Sequence, residues 1–320
     1  MRIEMILLGL VLDLILGDPP RWPHPVKLIG HLISWCERAF NRPRFSDQIR
    51  RWLGVLLWII VVLGTAAVTA GLMWLTRPVW WLHFLLGTYI AYTCLSVKGL
   101  AHEGRKIQRS LTAGNLAVAR QQVGMIVGRD TADLSASDVT KATVETIAEN
   151  TSDGVIAPLL CLFIGGPVLG LSYKAVNTLD SMVGYRNEQY AAIGWWSAKL
   201  DDIVNLIPAR LTWCFLVLAT WLLRLNTREA ITVGRRDHNH HLSPNSGFAE
   251  SVVAGALNVR LGGPHTYFGE LVVKPYIGEE TARAITPEDI TMTCRLLYTA
   301  TALATITLTA ITWLITSLLA

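Results

Sequence analysis

The run WLGVLLWIIVVLGTAAVTAGLMWL, from Trp52 to Leu75, contains no charged side chain. A helix needs about 20 consecutive apolar residues to cross the hydrocarbon core of a bilayer, so this segment alone predicts a membrane span. Leu296 to Ala320 is a second uninterrupted run, and Val79 to Val97, with only His83 able to carry positive charge, is a third. The composition agrees. Of 320 residues, 52% are hydrophobic and 16% charged, against roughly 25% charged in an ordinary soluble domain.

Three weaker segments extend the pattern. Met5 to Leu16 is interrupted by Asp13, Gly154 to Tyr173 is broken by Pro158 and Gly165-Gly166-Pro167, and Leu211 to Leu223 is short and flanked by Arg210 and Arg224. The first resembles the apolar region of a signal peptide, but it lacks a small-residue cleavage site and runs into Asp18-Pro19-Pro20, so it is expected to be retained. The predicted fold is all-α: a polytopic membrane helix bundle with five or six membrane segments, one integral membrane domain over 1–320, and cytoplasmic helical or loop insertions at 98–153 and 226–295.

The cytoplasmic placement follows from basic residues, which concentrate in loops on that side of the membrane. The segment 18–51 holds Arg21, Lys27, Arg38, Arg42, Arg44, Arg50 and Arg51, and 98–153 is similarly basic. Between Asp153 and Asn226 the chain must then cross an even number of times, twice or not at all, and the sequence leaves both open. A net charge of +4 without a dense Lys/Arg run gives no nucleic-acid surface. Cys36, Cys94, Cys161, Cys214 and Cys294 form no Cys-x-x-Cys pair and read as small hydrophobes.

Polar residues cluster at four places. In Asp13-Leu-Ile-Leu-Gly-Asp18-Pro-Pro-Arg-Trp-Pro-His24-Pro, Asp13 lies inside an apolar run, where a carboxylate is costly and marks a functional candidate; a helix-ending turn with a snorkelling acid is the alternative. In Glu145-Thr-Ile-Ala-Glu149-Asn150-Thr-Ser-Asp153-Gly, the i, i+4 spacing sets Glu145 and Glu149 on one helix face, as if around a cation, or else as a solvated face.

The third cluster expects two helices, one with Lys174, Asn177, Asp180, Tyr185 and Arg186, the other with Lys199, Asp201, Asp202, Asn205 and Arg210. Oxygen donors at i and i+3 (Asn177 and Asp180, Asp202 and Asn205) suit Mg²⁺, which binds through one or two carboxylates plus substrate phosphates, and the lysines and arginines suit the phosphates. Interhelical hydrogen bonding is the competing explanation. The fourth is Arg235-Arg236-Asp237-His238-Asn-His240-His241-Leu-Ser243-Pro-Asn245-Ser246-Gly247-Phe-Ala-Glu250. Its crowded histidines lack the spacing of a zinc site, and its Ser-Pro-Asn-Ser-Gly turn, opening a helix, reads as a phosphate loop. No P-loop is present.

Taken in order, Gly17-Asp18-Pro19-Pro20 with His24-Pro25, Glu145 to Gly154, Asn177-Thr-Leu-Asp180, Lys199-Leu-Asp201-Asp202 with Asn205 and Arg210, and Arg236-Asp237 with His241 and Ser243 to Gly247 resemble the adenosylcobinamide-phosphate synthase family of cobalamin biosynthesis (CbiB/CobD), over about residues 6 to 280. The resemblance implies a multi-pass protein of the cell inner membrane with its active site facing the cytoplasm. It implies an ATP- and Mg²⁺-dependent ligase joining adenosylcobyric acid to (R)-1-amino-2-propanol or its O-phosphate, with membrane lipid and other corrinoid-assembly enzymes as further partners. On that basis Glu145, Glu149, Asp153, Asp201 and Asp202 are the expected catalytic residues. Asp18, His24, Lys174, Arg186, Lys199, Arg210, Arg236, His241, Asn245, Ser246 and Glu250 are expected to bind substrates or phosphates, and Asn177, Asp180, Asp202 and Asn205 to hold Mg²⁺. Two readings compete: a membrane Mg²⁺-dependent prenyl- or phosphoryl-transferase, and a non-catalytic transporter or signalling relative.

Overall fold

A computed structural model of the chain describes residues 1–19, 22–185 and 187–319. Its helices are α1 (Arg2–Leu16), α2 (Pro25–Phe40), α3 (Asp47–Trp58), α4 (Gly64–Thr76), α5 (Trp80–Cys94), α6 (Val97–Thr112), α7 (Leu116–Val123), α8 (Ala136–Thr151), α9 (Ala157–Val183), α10 (Trp195–Val204), α11 (Leu206–Leu222), α12 (Thr227–Asp237), α13 (Ser246–Leu257) and α14 (Glu288–Leu319). Four short strands precede α14: β1 (Leu261–Gly262), β2 (His265–Tyr267), β3 (Glu270–Val272) and β4 (Tyr276–Ile277). They pair antiparallel as β1–β4 and β2–β3. π-helical turns at Ile59–Leu63 and Ser152–Ile156 join α3 to α4 and α8 to α9.

Among the described residues, four helical runs are long and apolar enough to cross a membrane: Asp47–Thr76, Trp80–Thr112, Ala136–Val183 and Glu288–Leu319. A fifth is added if α10 and α11 count as one broken span. Among the described residues the count is therefore four or five, in keeping with the expected all-α polytopic bundle and at the low end of the five or six segments read from the sequence. The first apolar segment falls short because α1 has 15 residues, too few for the hydrocarbon core. Where the spans are plain, their apolar side chains face outward: Leu63, Val68, Leu75, Ile306, Trp313 and Leu318 are all exposed. That inverts the rule for soluble proteins and suits lipid as the solvent. Polar groups on these helices are satisfied within the helix; the Oγ1 atoms of Thr293, Thr301 and Thr305 donate to carbonyls four residues back at 2.7–2.8 Å.

The sequence signals for breaks act as chemistry requires. A helical Pro158 ring would press on the carbonyl of residue 154, and the π turn at Ser152–Ile156 widens the backbone there. Gly166 adopts φ 65°, ψ −158° before Pro167, a conformation essentially reserved for glycine. The Arg2 guanidinium donates to the Ile164 carbonyl at 3.0 Å, satisfying an acceptor at the kink. Pro208 likewise forbids a regular helix through residue 204, and the chain breaks at Asn205.

The chain divides into two compact units: Met1–Ser96, Ala157–Asn205 and Leu308–Ala320 form unit 1, and Val97–Ile156 and Leu206–Thr307 form unit 2. In unit 1, α1 crosses α5 so closely that a Cβ on Gly9 would lie 2.8 Å from the Tyr92 nitrogen. In unit 2, α12 packs on α13 with the same intimacy, a Cβ on Gly255 falling 2.3 Å from the Glu229 carbonyl oxygen. A satellite core of Ile107, Ala119, Val123, Val139 and Ala142 holds α6, α7 and α8 together, and a capping box of Ser135 and Asp138 starts α8.

Candidate functional site

In unit 2 a buried group of charges assembles around the last turns of α8. Glu145 and Glu149 lie one turn apart, and Ser135 and Asp138 cap the start of their helix. Glu145, 4% exposed in its side chain, takes the Arg129 guanidinium at 2.5 Å on Oε2 and the Gly262 N–H at 2.7 Å on Oε1. Gly262 can approach because it has no side chain and sits at φ 67°; a Cβ there would fall 2.7 Å from the Pro275 carbonyl. Glu149 accepts from Ser246 Oγ at 2.7 Å, which ties α8 to the first residue of α13.

One turn into α13, Glu250 is 3% exposed. Burial, and then the negative charges of Glu145 and Glu149, push its carboxyl well above the ordinary range, with Lys274 and Arg129 opposing. His241 Nε2 stands 3.8 Å from Glu250 Oε1, while its Nδ1 accepts from the Ser243 N–H at 3.0 Å. Burial holds this imidazole below its usual value against the pull of Glu149. Burial works against the Arg129 charge too, but Glu145 more than compensates and keeps its pKa raised.

The small β structure supplies the remaining cations. The β2–β3 hairpin turns through Phe268 and Gly269 at φ 52° and 81°, the left-handed pair that a two-residue hairpin loop uses. Gly269 N–H donates to Asp130 Oδ2 and Asp130 N–H to Thr266 O, at 2.8 and 2.9 Å. This holds Arg129 beside His265, whose Nε2 is 2.9 Å from the guanidinium. Burial, with Arg129 next, drives His265 down to about 4. Lys274, 9% exposed, donates to Tyr267 Oη at 3.1 Å.

In the stretch expected to bind phosphate, α13 opens at Ser246 with Asn245 before it. Gly247 is required there, because a Cβ would meet the His238 carbonyl oxygen at 2.1 Å. The three neighbouring histidines diverge: His238 Nδ1 lies 3.0 Å from Arg235 O, His240 Nδ1 lies 2.8 Å from Tyr276 O, and only His241 joins the acidic group. Arg236 is committed elsewhere. It donates to both Asp237 oxygens, at 2.6 and 2.8 Å, and to Glu279. Burial alone would raise the Asp237 carboxyl, but Arg236 and the Gly278 N–H together hold it low, so this pair straps the β4 segment to α12. Arg210 is exposed on α11, its guanidinium 4.6 Å over the Phe248 ring. Asp153 falls within the π turn that follows α8.

Unit 1 gathers the rest. The loop after α1 is tied to α5 by Tyr92 Oη, which donates to Gly17 O at 2.6 Å, and by Tyr89 Oη, which donates to Pro23 O. His24 caps α2, its Nδ1 accepting from Val26 N–H at 3.3 Å, and its Nε2 lies 3.7 Å from Asp18. Burial lowers the His24 imidazole; Asp18 opposes this, and Lys27 and Lys174 reinforce it. Asp18, His24 and Lys174 thus share one electrostatic neighbourhood.

On α9 and α10, Tyr173 Oη donates to Asn205 Oδ1 and Asn205 Nδ2 to Asp201 Oδ2, both at 2.9 Å. Asn205 therefore pairs with Asp201, one turn back. The second helix of the expected pair is in fact two, so Lys199, Asp201 and Asp202 lie on α10 while Arg210 falls on α11 in the other unit. Tyr185 lies beyond the end of α9, and Arg186 is outside the described residues. Among the described residues no group of three or more His, Cys, Asp or Glu is arranged to hold a metal ion. Of the residues expected to hold Mg²⁺, Asn177 and Asp180 on α9 and Asp202 on α10 are each half-buried, and the side-chain carbonyl of Asn205 is engaged by Tyr173.

Comparison with known proteins bears on all of these residues at once. The family model described as CobD/Cbib protein matches residues 6–297. The chain is 51% identical to the cobalamin biosynthesis protein CobD of Streptococcus sanguinis, with 94% of each chain covered. It is 53% identical to CobD of Listeria monocytogenes over 92% of this chain and 93% of the relative. It is 46% identical to the cobalamin biosynthesis protein CbiB of Salmonella typhimurium, with 92% of each covered. No solved structure matches. With helices that cross the membrane several times and motifs matched almost end to end, the chain belongs to the CobD/CbiB family.

Proposed function

We propose that this chain acts in cobalamin biosynthesis as an ATP- and Mg²⁺-dependent amide ligase. It joins the free propionate of adenosylcobyric acid to (R)-1-amino-2-propanol or its O-phosphate, at a site open to the cytoplasm from the cell inner membrane. The observation that carries this reading is the assembly of buried Glu145, Glu250 and Lys274 with half-buried Glu149, Arg129 and His241. A membrane anchor has no use for such an assembly, and amide ligation needs one.

An unactivated carboxylate does not condense with an amine. Its oxygen attacks the γ-phosphorus of ATP, ADP leaves, and the resulting acyl phosphate is opened by the amine nitrogen, releasing phosphate and forming the C–N bond. Lys274 and Arg129 offset the negative charge that builds on the transferred phosphoryl oxygens, and the N–H groups at the start of α13 add donors for an anion. The amine arrives as an ammonium and must lose a proton before it attacks. Glu250, its carboxyl raised by burial, is matched to accept that proton, and His241 stands beside it to pass the proton on. Within unit 1, Asn177, Asp180 and Asp202 would hold Mg²⁺, and the ion would neutralise phosphate charge there.

The test is growth of a cobalamin-requiring strain that lacks this protein and is supplied with either cobyric acid or cobinamide. The wild-type chain supports growth on both, whereas Glu149→Gln and Asp202→Asn chains, expressed at equal levels in membranes, support growth on cobinamide alone. Growth of both variants on cobyric acid at the wild-type rate would exclude the ligase and favour the transporter reading.

A further inference from the structure

Unit 1 contains a cavity of about 410 Å³ whose lining is almost wholly apolar. Three of its walls belong to membrane-crossing helices: Gly64 and Val68 of α4, Ile90 of α5 and Leu171 of α9; Leu28 of α2 and His24 close one end. Its volume is at the small end of ligand pockets, roughly 300–1,000 Å³, and most of its lining lies on helices long and apolar enough to cross a membrane.

The closing helix has the character of one that lies in the membrane interface. Its outward stripe runs Lys27, Leu28, His31, Trp35 and Arg38, all exposed. Cations and apolar or indole side chains alternate there along one face, the composition of a helix seated among anionic headgroups. Among the charges that act on His24 at the same end, Lys27 and Lys174 outnumber Asp18, which acts the most strongly.

We propose that this cavity is a binding site for one acyl chain of an anionic glycerophospholipid, whose headgroup phosphate rests at the Lys27 end of α2. This inference is independent of the ligase reading. A neutral apolar molecule would make no use of the basic rim, and free phosphate would make no use of the cavity.

The test uses the full chain reconstituted in mixed phosphatidylglycerol and phosphatidylcholine, then released for native mass spectrometry. Gly64→Leu places a side chain in the cavity without a clash, since a Cβ there meets nothing within 4 Å and the backbone is helical at φ −61°, ψ −45°. The wild type is expected to retain one phosphatidylglycerol per chain, at least fivefold over phosphatidylcholine, and Gly64→Leu to retain none while melting in lipid-free detergent no lower than wild type. Lys27→Gln should keep a lipid but lose the fivefold preference.

Equal retention of the two lipids by the wild type, which requires no variant to fold, would overturn the proposal. So would undiminished retention by Gly64→Leu, or a thermal stabilisation by inorganic phosphate alone that matches phosphatidylglycerol.

Discussion

Replacing Arg129 with Met should destabilise unit 2 through the charge it abandons. Glu145 and Arg129 are 4% and 11% exposed in their side chains, so neither can recover its lost partner from water. Removing one member of a buried ion pair costs about 3–5 kcal/mol. The Gly262 N–H stays on the other Glu145 oxygen at 2.7 Å, and a hydrogen bond to a charged group contributes about 1.5–3 kcal/mol, so the lower half of that range is expected, ~3 kcal/mol.

His265 sharpens the test. It is held near 4 by burial and then by Arg129, and its Nε2 is 4.0 Å from Glu145. Without Arg129 its folded pKa rises, and a group whose folded pKa is raised contributes stability that is present at low pH and lost as pH climbs through that value. The penalty for Arg129→Met should therefore be full at pH 8 and shrink below about pH 6.5, the ordinary histidine range. Glu145→Gln keeps an acceptor for Gly262 and carries no charge, so in that background Arg129→Met should cost under ~1.5 kcal/mol. The assay is denaturant unfolding in detergent micelles followed by tryptophan fluorescence. Equal penalties for Arg129→Met with Glu145 and with Gln at that position would refute the coupling, because a double-mutant cycle reads zero for groups that do not interact.

Glu250→Gln should abolish product formation. It should also remove a pH dependence: a buried carboxyl with a raised pKa makes the fold less stable as pH rises from about 4.5, so the variant should gain on wild type between pH 5 and 8 in thermal melts. Gly255→Ala forces a methyl group to within 2.3 Å of the Glu229 carbonyl oxygen, and should cost about 1–3 kcal/mol, read as a lower denaturation midpoint. Gly166→Ala, at φ 65°, ψ −158°, should cost about 1–3 kcal/mol in backbone strain, measured the same way, with no change in how the protein partitions to membranes.

What the sequence discloses depends on how local the physics is. The spans at Trp52, Val79 and Leu296 were legible because the absence of charge over 19 or more residues has one economical explanation, and the kink at Gly166 because glycine beside proline has few others. Glu145, Glu149 and the opening of α13 followed from helical spacing and turn chemistry. The break at Asn205 was foreshadowed only by Pro208, three residues on, and its effect was to move Arg210 off the α10 helix and to pair Asn205 with Asp201. Arg129 looked like one more loop cation, since its partner is not at a helical spacing. His265 and Lys274 were invisible as site residues because one comes from a strand of three residues and the other from the link between two such short strands, too short for any alternation to register. The Gly262-Gly263-Pro264 and Phe268-Gly269 turns were the only local signals of the folding that carries them inward.

The central claim is that this chain makes an amide bond at the expense of ATP. Purified chain in lipid nanodiscs, given adenosylcobyric acid, (R)-1-amino-2-propanol O-phosphate, ATP and Mg²⁺, should yield one amide product by mass spectrometry for each ATP consumed, with none formed by Glu250→Gln. Folded, lipid-embedded wild-type chain that leaves all of the cobyric acid unconverted, with either the amine or its phosphate present, would contradict it.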